Sequence, residues 1–282
     1  MTINEARQEL KTLMIQLYGA SEARGIVRYV FEDYLLTGLS LSVEPEMDSI
    51  LESQYTTVKE KLLQGVPVQY VVGFAWFYGI KLKVNNTVLI PRPETEELVE
   101  WILEDTKKSV ANISCLDIGT GSGCIPIVLG LKNPKLKLSA VDVSESALIT
   151  AGRNAFRNNI DIDFSLVDIL DTEQQKKLAR FDIIVSNPPY ITESEKKIMQ
   201  TNVLEHEPHS ALFVHDTEPL LFYDAIADFA KTHLNTGGHL YFECNTFFAL
   251  EVKKMLEAIR FSEVVLKKDM SGKDRMIRAR FL

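Results

Sequence analysis

The sequence has few of the features that mark secreted, membrane-spanning or nucleic-acid-binding proteins. Its three cysteines, Cys115, Cys124 and Cys244, lie far apart and include no Cys-x-x-Cys pair, so they predict neither a zinc site nor a disulfide framework. The longest apolar stretch, residues 71–80, is much shorter than the ~20 residues that span a bilayer. No run of Lys and Arg stands out, and the net charge is -8, which disfavours a duplex DNA or structured RNA substrate. We therefore expect a cytoplasmic protein with reduced thiols.

The chain of 282 residues is long enough for a large domain and a smaller one. Residues 1–66 carry three apolar stripes at helical spacing, which end near Gly19, Gly38 and Gly65. They predict a small helical domain that contains none of the chemical motifs below, and we expect it to recognise the substrate. Residues 67–88 are rich in Val, Tyr, Phe and Trp and then alternate in polarity, which predicts a β-hairpin linker.

From residue 89 to residue 282 the pattern is that of the larger domain. A helix is predicted from about residue 94 to 107, and its early glutamates suit the positive end of the helix dipole. Strands are then predicted at 113–118, 136–143, 163–167, 181–185 and 239–243, with two more at the end of the chain. Helices separate most of them, and this alternation indicates an α/β fold with a doubly wound sheet.

A glycine-rich loop from Asp117 to Gly123 follows an apolar strand and opens a helix, which is the setting of a nucleotide-binding loop. Its Gly-x-Gly-x-Gly spacing differs from the Gly-x-Gly-x-x-Gly of dinucleotide binders. The Lys-Ser/Thr ending of a phosphate-binding P-loop is also missing. A nucleoside ligand without phosphate groups fits this loop better, and S-adenosylmethionine is such a ligand.

Two aspartates follow the next two strands. Asp142 ends the second strand, where a carboxylate can accept hydrogen bonds from both hydroxyls of a ribose. Asp168 follows the third strand, at a tip that lies beside the adenine in folds of this kind. The glycines alone could be a tight turn and the aspartates helix caps, but the three successive strand ends favour a ligand site.

The fourth strand ends in Asn187-Pro188-Pro189-Tyr190. The two prolines stiffen the chain and remove two backbone donors, so the Asn187 side-chain oxygen and the Pro188 carbonyl remain as acceptors. Together they can accept both hydrogens of an NH2 group, and Tyr190 offers a flat face to a planar group. An amide nitrogen is a poor nucleophile, and two acceptors would turn its lone pair toward a methyl donor. The alternative is an ordinary Asn-Pro turn.

A second cluster suggests a metal site at first sight. Residues Glu205 to His209 contain two glutamates and two histidines, and His215 is near. The spacing matches no familiar zinc pattern, and Pro208 interrupts any helix. We expect a loop that lines the substrate cleft and no bound metal.

Taken together, the Asp-x-Gly-x-Gly-x-Gly loop, Asp142 and Asn-Pro-Pro-Tyr resemble the class I amino methyltransferases. Residues 67–73 and 77–79, residues 90–96, Glu207-Pro208 with Ala211-Leu212, and Asp274-Arg275 resemble the release-factor glutamine methyltransferases more specifically. This resemblance covers nearly the whole chain. It implies a Rossmann-like, mixed seven-stranded sheet in residues 89–282, preceded by the helical bundle and the hairpin.

The resemblance also implies a reaction and a set of roles. The substrate would be the glutamine of the Gly-Gly-Gln motif in class-1 peptide-chain release factors, and the cofactor S-adenosylmethionine. The glycine loop would hold the methionine end, Asp142 the ribose, Asp168 and Ile169 the adenine, and Asn187 to Tyr190 the substrate amide, while Asn187 can also touch the cofactor. The loop residues meant here are Asp117, Gly119, Thr120, Gly121, Ser122 and Gly123.

Other functions stay open at this point. The same motif serves adenine-N6 and guanine-N2 methyltransferases of nucleic acids, and it serves glutamine methyltransferases of ribosomal proteins. A cofactor-binding module without catalysis is a further alternative. We expect a protein substrate, no direct contact with nucleic acid or membrane, and a monomer.

Overall fold

The computed structural model describes residues 1–37, 46–107, 112–259 and 261–282. These residues form two compact units, one of Met1–Phe74 with Gln200–His206 and one of Ala75–Met199 with Glu207–Leu282. The predicted domain boundaries at residues 66 and 88 stay predictions. The predicted helix end near Gly38 lies outside the described residues.

The first unit is helical. Its helices are α1 (Ile3–Val30), α2 (Ser49–Leu63), α3 (Val68–Val72) and, from the later segment, α8 (Thr201–His206). Gly19 has φ 83° and ψ 168°, so it kinks α1 between the two apolar stripes that predicted separate helices. Buried side chains of α1 and α2, among them Leu10, Met14 and Leu62, share one apolar core.

The predicted hairpin is shorter than expected. Residues 68–72 form the helix α3, which ends at Gly73 in the left-handed region, φ 78°. The paired strands are β1 (Phe74–Phe77) and β2 (Ile80–Lys83). Helical hydrogen bonds to Pro67 and Gln69 satisfy the backbone of residues 70–73, so β-branched composition alone was misleading here.

The second unit alternates helices and strands, as predicted. Its remaining elements, in chain order, are α4 (Pro93–Thr106), β3 (Ile113–Ile118), α5 (Cys124–Lys132), β4 (Leu136–Asp142), α6 (Glu145–Arg157), β5 (Asp163–Leu166), α7 (Thr172–Gln175), β6 (Phe181–Ser186), β7 (Ile191–Thr192), β8 (Phe213–Val214), α9 (Leu221–His233), β9 (Leu234–Glu243), α10 (Ala249–Ala258), β10 (Phe261–Lys268) and β11 (Asp274–Phe281). Short 3-10 helices span Glu193–Ile198 and His209–Ala211.

Seven strands form one sheet in the order β10-β11-β9-β6-β3-β4-β5. Strands β9, β6, β3, β4 and β5 run parallel, and β11 pairs antiparallel with both of its neighbours. The predicted mixed seven-stranded sheet is therefore confirmed. The parallel strands end at one edge, and the chain order reverses between β6 and β3, where open α/β sheets place their ligand crevice.

Apolar cores lie on both faces of this sheet. Leu116 and Ile184 pack with side chains of α9 and α10. Their chain neighbours Cys115 and Ile183 point the other way and pack with side chains of α4 and α5. Helices on both faces make the sheet doubly wound, and they hold the strand ends in fixed positions.

Candidate active site

An open cleft lies at the carboxyl ends of the parallel strands. Its lining includes residues at or just after the ends of four of them: Gly119 and Gly121 after β3, Asp142 and Ser144 at the end of β4, Asp168 and Ile169 after β5, and Asn187, Pro188 and Pro189 after β6. Among the predicted site residues, Asp117, Thr120, Ser122, Gly123 and Tyr190 do not line this cleft. The first four lie in or behind the glycine loop.

Backbone hydrogen bonds fix the glycine loop against the neighbouring strand. The N–H groups of Gly119 and Thr120 both donate to the carbonyl of Val141, at 2.9 and 3.1 Å. Gly119, Gly121 and Gly123 all have positive φ, at 73°, 55° and 80°, which side chains rarely adopt. Bare backbone at Gly119 and Gly121 therefore forms the floor of the cleft.

Gly123 is a glycine for a second reason. A Cβ there would lie 3.0 Å from Ile127 Cδ1 and 3.2 Å from Ala151 Cβ. Helices α5 and α6 therefore approach each other closely at this point. The N–H of Gly123 also donates to the Thr120 carbonyl at 2.8 Å. The close packing of the two helices is therefore connected to the loop through Gly123.

Asp142 joins the glycine loop to the next helix. Its two carboxylate oxygens accept hydrogen bonds from the N–H groups of Gly121 and Ser144, both at 2.9 Å. Burial raises the pKa of Asp142, and the backbone donors oppose that shift. Each carboxylate oxygen has a second lone pair, so Asp142 can still accept hydrogen bonds from two ligand hydroxyls.

Asp117 and Thr120 carry buried polar atoms without partners. Asp117 is 1% exposed, and neither of its carboxylate oxygens accepts a hydrogen bond from the described residues. The hydroxyl of Thr120 likewise meets no partner with hydrogen-bond geometry within the described chain, although it lies close enough to Asp117 to lower the pKa of that carboxyl. Burial raises the pKa of Asp117 to about 7. Unpaired buried acceptors are costly, so this corner of the loop suits a ligand that brings a cationic donor, such as an α-ammonium group.

The third strand end is the apolar part of the cleft. Asp168 is held in a turn, with Oδ1 accepting from the N–H of Leu170 at 2.9 Å. Ile169 is 7% exposed and lines the cleft together with Val167 and Phe222. These walls suit a flat heteroaromatic ring such as adenine.

The Asn-Pro-Pro-Tyr segment leaves β6 beside the glycine loop. Ser186 Oγ donates to the Ile118 carbonyl at 2.7 Å, which ties the two strand ends together. Asn187, Pro188 and Pro189 then line the cleft, whereas Tyr190 lines an adjoining groove with Phe247 and Arg275. The structure thus brings Asn187 and both prolines to the cleft, whereas Tyr190 lines a different groove.

A chain of hydrogen bonds runs from Asn187, which lines the cleft, to the buried side chains of Thr95 and Glu243. Asn187 Nδ2 donates to Thr95 Oγ1 at 3.2 Å, and Thr95 donates to Glu243 Oε2 at 2.6 Å. The Tyr190 hydroxyl donates to the other oxygen of Glu243 at 3.0 Å. Burial raises the pKa of Glu243, and the two hydroxyl donors oppose that shift. Burial, followed by the charge of Glu243, holds the pKa of Tyr190 well above its usual value.

Sequence reasoning missed Thr95 and Glu243 as site residues. Thr95 lies in the Pro-Arg-Pro-Glu-Thr-Glu segment that carried the family resemblance, but the segment itself suggested no chemical role. Glu243 ends the apolar strand β9, and a charge in that position resembles the signal that identified Asp142. Its partners are distant in sequence, so no local pattern could pair them.

An ion pair joins two loops at the rim of the cleft. Arg92 Nη2 lies 2.6 Å from Glu207 Oε1, and the Ile90 N–H donates to the same carboxylate at 3.4 Å. The residues beside them, Val88 and Ala211, line the cleft. Glu207 therefore connects the two loops. Within the described chain, no group of three or more His, Cys, Asp or Glu could hold a metal ion.

None of the helices among the described residues is both long enough and apolar enough to cross a bilayer.

Comparison with known proteins assigns this architecture to a family. The family model described as Methyltransferase small domain matches residues 95–212. The release factor glutamine methyltransferase of Flavobacterium psychrophilum is 43% identical, over 100% of both chains. The chain belongs to the release factor glutamine methyltransferase family. The family's Lactococcus lactis enzyme is 40% identical over 96% of this chain and 97% of its own.

A solved structure outside this family shows the same fold. The 16S rRNA N2 G1207 methyltransferase of T. thermophilus, solved with S-adenosylmethionine and guanosine, has a TM-score of 0.51 at 19% identity. The match covers 74% of this chain and 50% of that one. Membership of the release factor glutamine methyltransferase family confirms the predicted enzyme class and cofactor: the chain is a methyltransferase that uses S-adenosylmethionine.

Proposed function

We propose that this enzyme transfers a methyl group from S-adenosylmethionine to the side-chain amide nitrogen of the glutamine in the Gly-Gly-Gln motif of class-1 peptide-chain release factors. The observation that carries the proposal is the position of Asn187. It lies in the same cleft as Gly119, Gly121 and Asp142, with its amide NH2 tied to Thr95 and its oxygen facing away from that contact. An acceptor oxygen is what a substrate amide NH2 requires.

The residues in and behind the wall of the cleft would serve the parts of the cofactor in turn. The carboxylate of Asp117 and the hydroxyl of Thr120, which lie in or behind the glycine loop and meet no hydrogen-bond partner among the described residues, would suit the ammonium group of the methionine end. Asp142 would accept hydrogen bonds from the ribose hydroxyls. Asp168 and Ile169 would border the adenine, on the apolar side of the cleft. When bound, the cofactor supplies a methyl group activated by a positively charged sulfur.

Asn187 and Pro188 would act on the substrate nitrogen. An amide nitrogen is weakly nucleophilic, because its lone pair is delocalised into the carbonyl group. Two acceptors that hold both N–H bonds on one side favour a more tetrahedral nitrogen and direct its lone pair to the methyl group. Such positioning supplies much of the rate when neither a metal nor a strong base takes part. Tyr190, anchored through its hydroxyl, would border the amide from the adjoining groove.

We further propose that the enzyme acts in the cytoplasm, as a monomer, and on a protein rather than on nucleic acid. The net charge of -8 supports the choice of a protein substrate, because phosphate contacts usually require a basic surface.

Mass spectrometry of a purified release factor, incubated with the enzyme and S-adenosylmethionine, tests the proposal. The tryptic peptide that contains Gly-Gly-Gln should gain the mass of one methyl group. A factor whose motif glutamine is replaced by alanine is the matched control and should gain none. Methylation of ribosomal RNA, DNA or a ribosomal protein, with no methylation of the release factor, would overturn the proposal.

A further inference from the structure

Three residues that are distant in sequence, Asn187, Thr95 and Glu243, form one chain of hydrogen bonds that runs from the cleft to buried side chains. Thr95 lies in the first turn of α4 and is 2% exposed, and Glu243 ends β9 and is 1% exposed. Thr95 accepts from Asn187 Nδ2 at 3.2 Å and donates to Glu243 at 2.6 Å.

The number of hydrogens that each group carries determines which group donates and which accepts in these hydrogen bonds. Glu243 accepts a hydroxyl hydrogen at each of its two oxygens, one from Thr95 and one from Tyr190, so the single hydroxyl hydrogen of Thr95 points to Glu243. Thr95 Oγ1 then has only lone pairs to offer to Asn187. A lone pair requires a donor, so the NH2 end of the Asn187 amide must face Thr95, and its oxygen must face elsewhere.

We propose that Thr95 and Glu243 are positioning residues that determine which end of the Asn187 amide is presented to the substrate. This inference rests on the proposed function. The oxygen and NH2 ends of an asparagine have nearly the same shape, so packing alone does not distinguish them. With the amide reversed, Asn187 would present NH2 to the NH2 of the substrate, and two donors would meet.

Both positioning residues are held firmly. Thr95 is fixed by the backbone of α4, where its N–H donates to Arg92 at 3.1 Å. Glu243 is the last residue of a strand that pairs with both β6 and β11, and its second oxygen accepts from Tyr190. One carboxylate therefore orients Asn187 through Thr95 and anchors Tyr190 directly.

Single-turnover methylation of a release factor by three threonine variants of the full chain tests the inference. Thr95→Val keeps the shape of the side chain and removes its hydroxyl, and should slow methyl transfer roughly 10- to 100-fold. Thr95→Ser restores the hydroxyl and should recover most of the rate. Thr106→Val is the matched control, because Thr106 is also a buried threonine of α4, and its hydroxyl donates to the Ile102 carbonyl far from the cleft. It should keep the wild-type rate.

A merely structural role predicts different results. If Thr95 only stabilises the fold, Thr95→Val should weaken cofactor affinity together with the rate. Positioning predicts a lower rate at saturating substrate with cofactor affinity within about twofold of wild type. In the Asn187→Ala background no amide is left to orient, so adding Thr95→Val should lower the rate by less than about threefold.

The outcomes separate this inference from the proposed function. Wild-type enzyme that leaves release factors unmethylated counts against the proposed function. If the wild-type enzyme is active and Thr95→Val transfers methyl at near the wild-type rate, the positioning role is overturned. It is also overturned if Thr95→Ser does not recover the rate. A third contrary result is that Thr95→Val lowers the rate in the Asn187→Ala background by the full factor seen in the wild-type background. Should the valine variant not fold, Thr95→Ala removes the same hydroxyl without placing a new methyl group and gives the same readouts.

Discussion

Asn187 is the single residue on which the proposed chemistry depends most. Replacing it with alanine removes an acceptor that acts in the transition state. We expect Asn187→Ala to lower the single-turnover rate roughly 100-fold, the scale seen when one positioned hydrogen-bonding group is lost. Asn187→Asp should lose less, because it keeps an acceptor oxygen and adds a negative charge near the sulfonium. The measurement is rapid-quench methylation of a release factor at saturating cofactor.

Cofactor binding by the same two variants is the control. Isothermal titration calorimetry should show a much smaller change in S-adenosylmethionine affinity than in rate, because Asp117 and Asp142 are untouched. If Asn187→Ala transfers methyl at close to the wild-type rate, Asn187 is only a turn residue after β6.

At the level of the elements, the glycine loop depends on how closely α5 and α6 pack. Gly123→Ala would place a methyl group against Ile127 and Ala151 in a left-handed backbone conformation. That conformation alone costs an alanine about 1–2 kcal/mol, and crowding adds to it. We expect a loss of about 2 kcal/mol or more in the free energy of unfolding, measured by urea denaturation, together with weaker cofactor binding.

Gly152→Ala provides the comparison for that measurement. Gly152 lies within α6, and an added Cβ there meets no atom within 4 Å. Alanine favours the helix over glycine by roughly 0.5–1 kcal/mol, so this variant should be as stable as wild type or more stable. Equal stability of the two alanine variants would contradict the packing argument for Gly123.

The same elements show what the sequence could predict. Strand ends and the residues that follow them are local features, so Gly119, Asp142, Asp168 and Asn187 could be assigned to one edge of a parallel sheet before their contacts were known. Residues 68–72 were wrongly included in the hairpin, because β-branched composition does not distinguish a short helix from a strand. The Thr95–Glu243 pair could not be predicted, since it joins α4 to β9 through tertiary packing alone.

At the scale of the whole molecule, we propose that residues 1–66 recognise the protein substrate. A specific protein interface buries about 1,200–2,000 Å² in total, far more than a tripeptide can offer. Removing residues 1–66 should therefore lower kcat/KM for an intact release factor by roughly 100-fold, which corresponds to losing about 3 kcal/mol of binding. Activity on a short Gly-Gly-Gln peptide should change little. Both substrates are measured with the truncated and the full-length enzyme.

Two checks accompany the truncation. Circular dichroism and calorimetry with S-adenosylmethionine must first show that the shortened chain is folded and binds its cofactor. Undiminished kcat/KM on the intact release factor would then exclude residues 1–66 from recognition.

The chain of hydrogen bonds from Asn187 through Thr95 to Glu243 also limits how this enzyme can evolve. Replacing any one of the three with an apolar residue leaves a buried donor or acceptor unpaired, at a cost of about 1–3 kcal/mol. Changing two hydrogen-bonded partners together avoids that cost, so we expect paired substitutions at these positions to be tolerated better than single ones. Thr95 is 92 positions from Asn187 and 148 positions from Glu243, so this coupling ties the first turn of one helix to the ends of two strands. Selection therefore acts on the three sites as a unit, and each can drift only as far as the others allow.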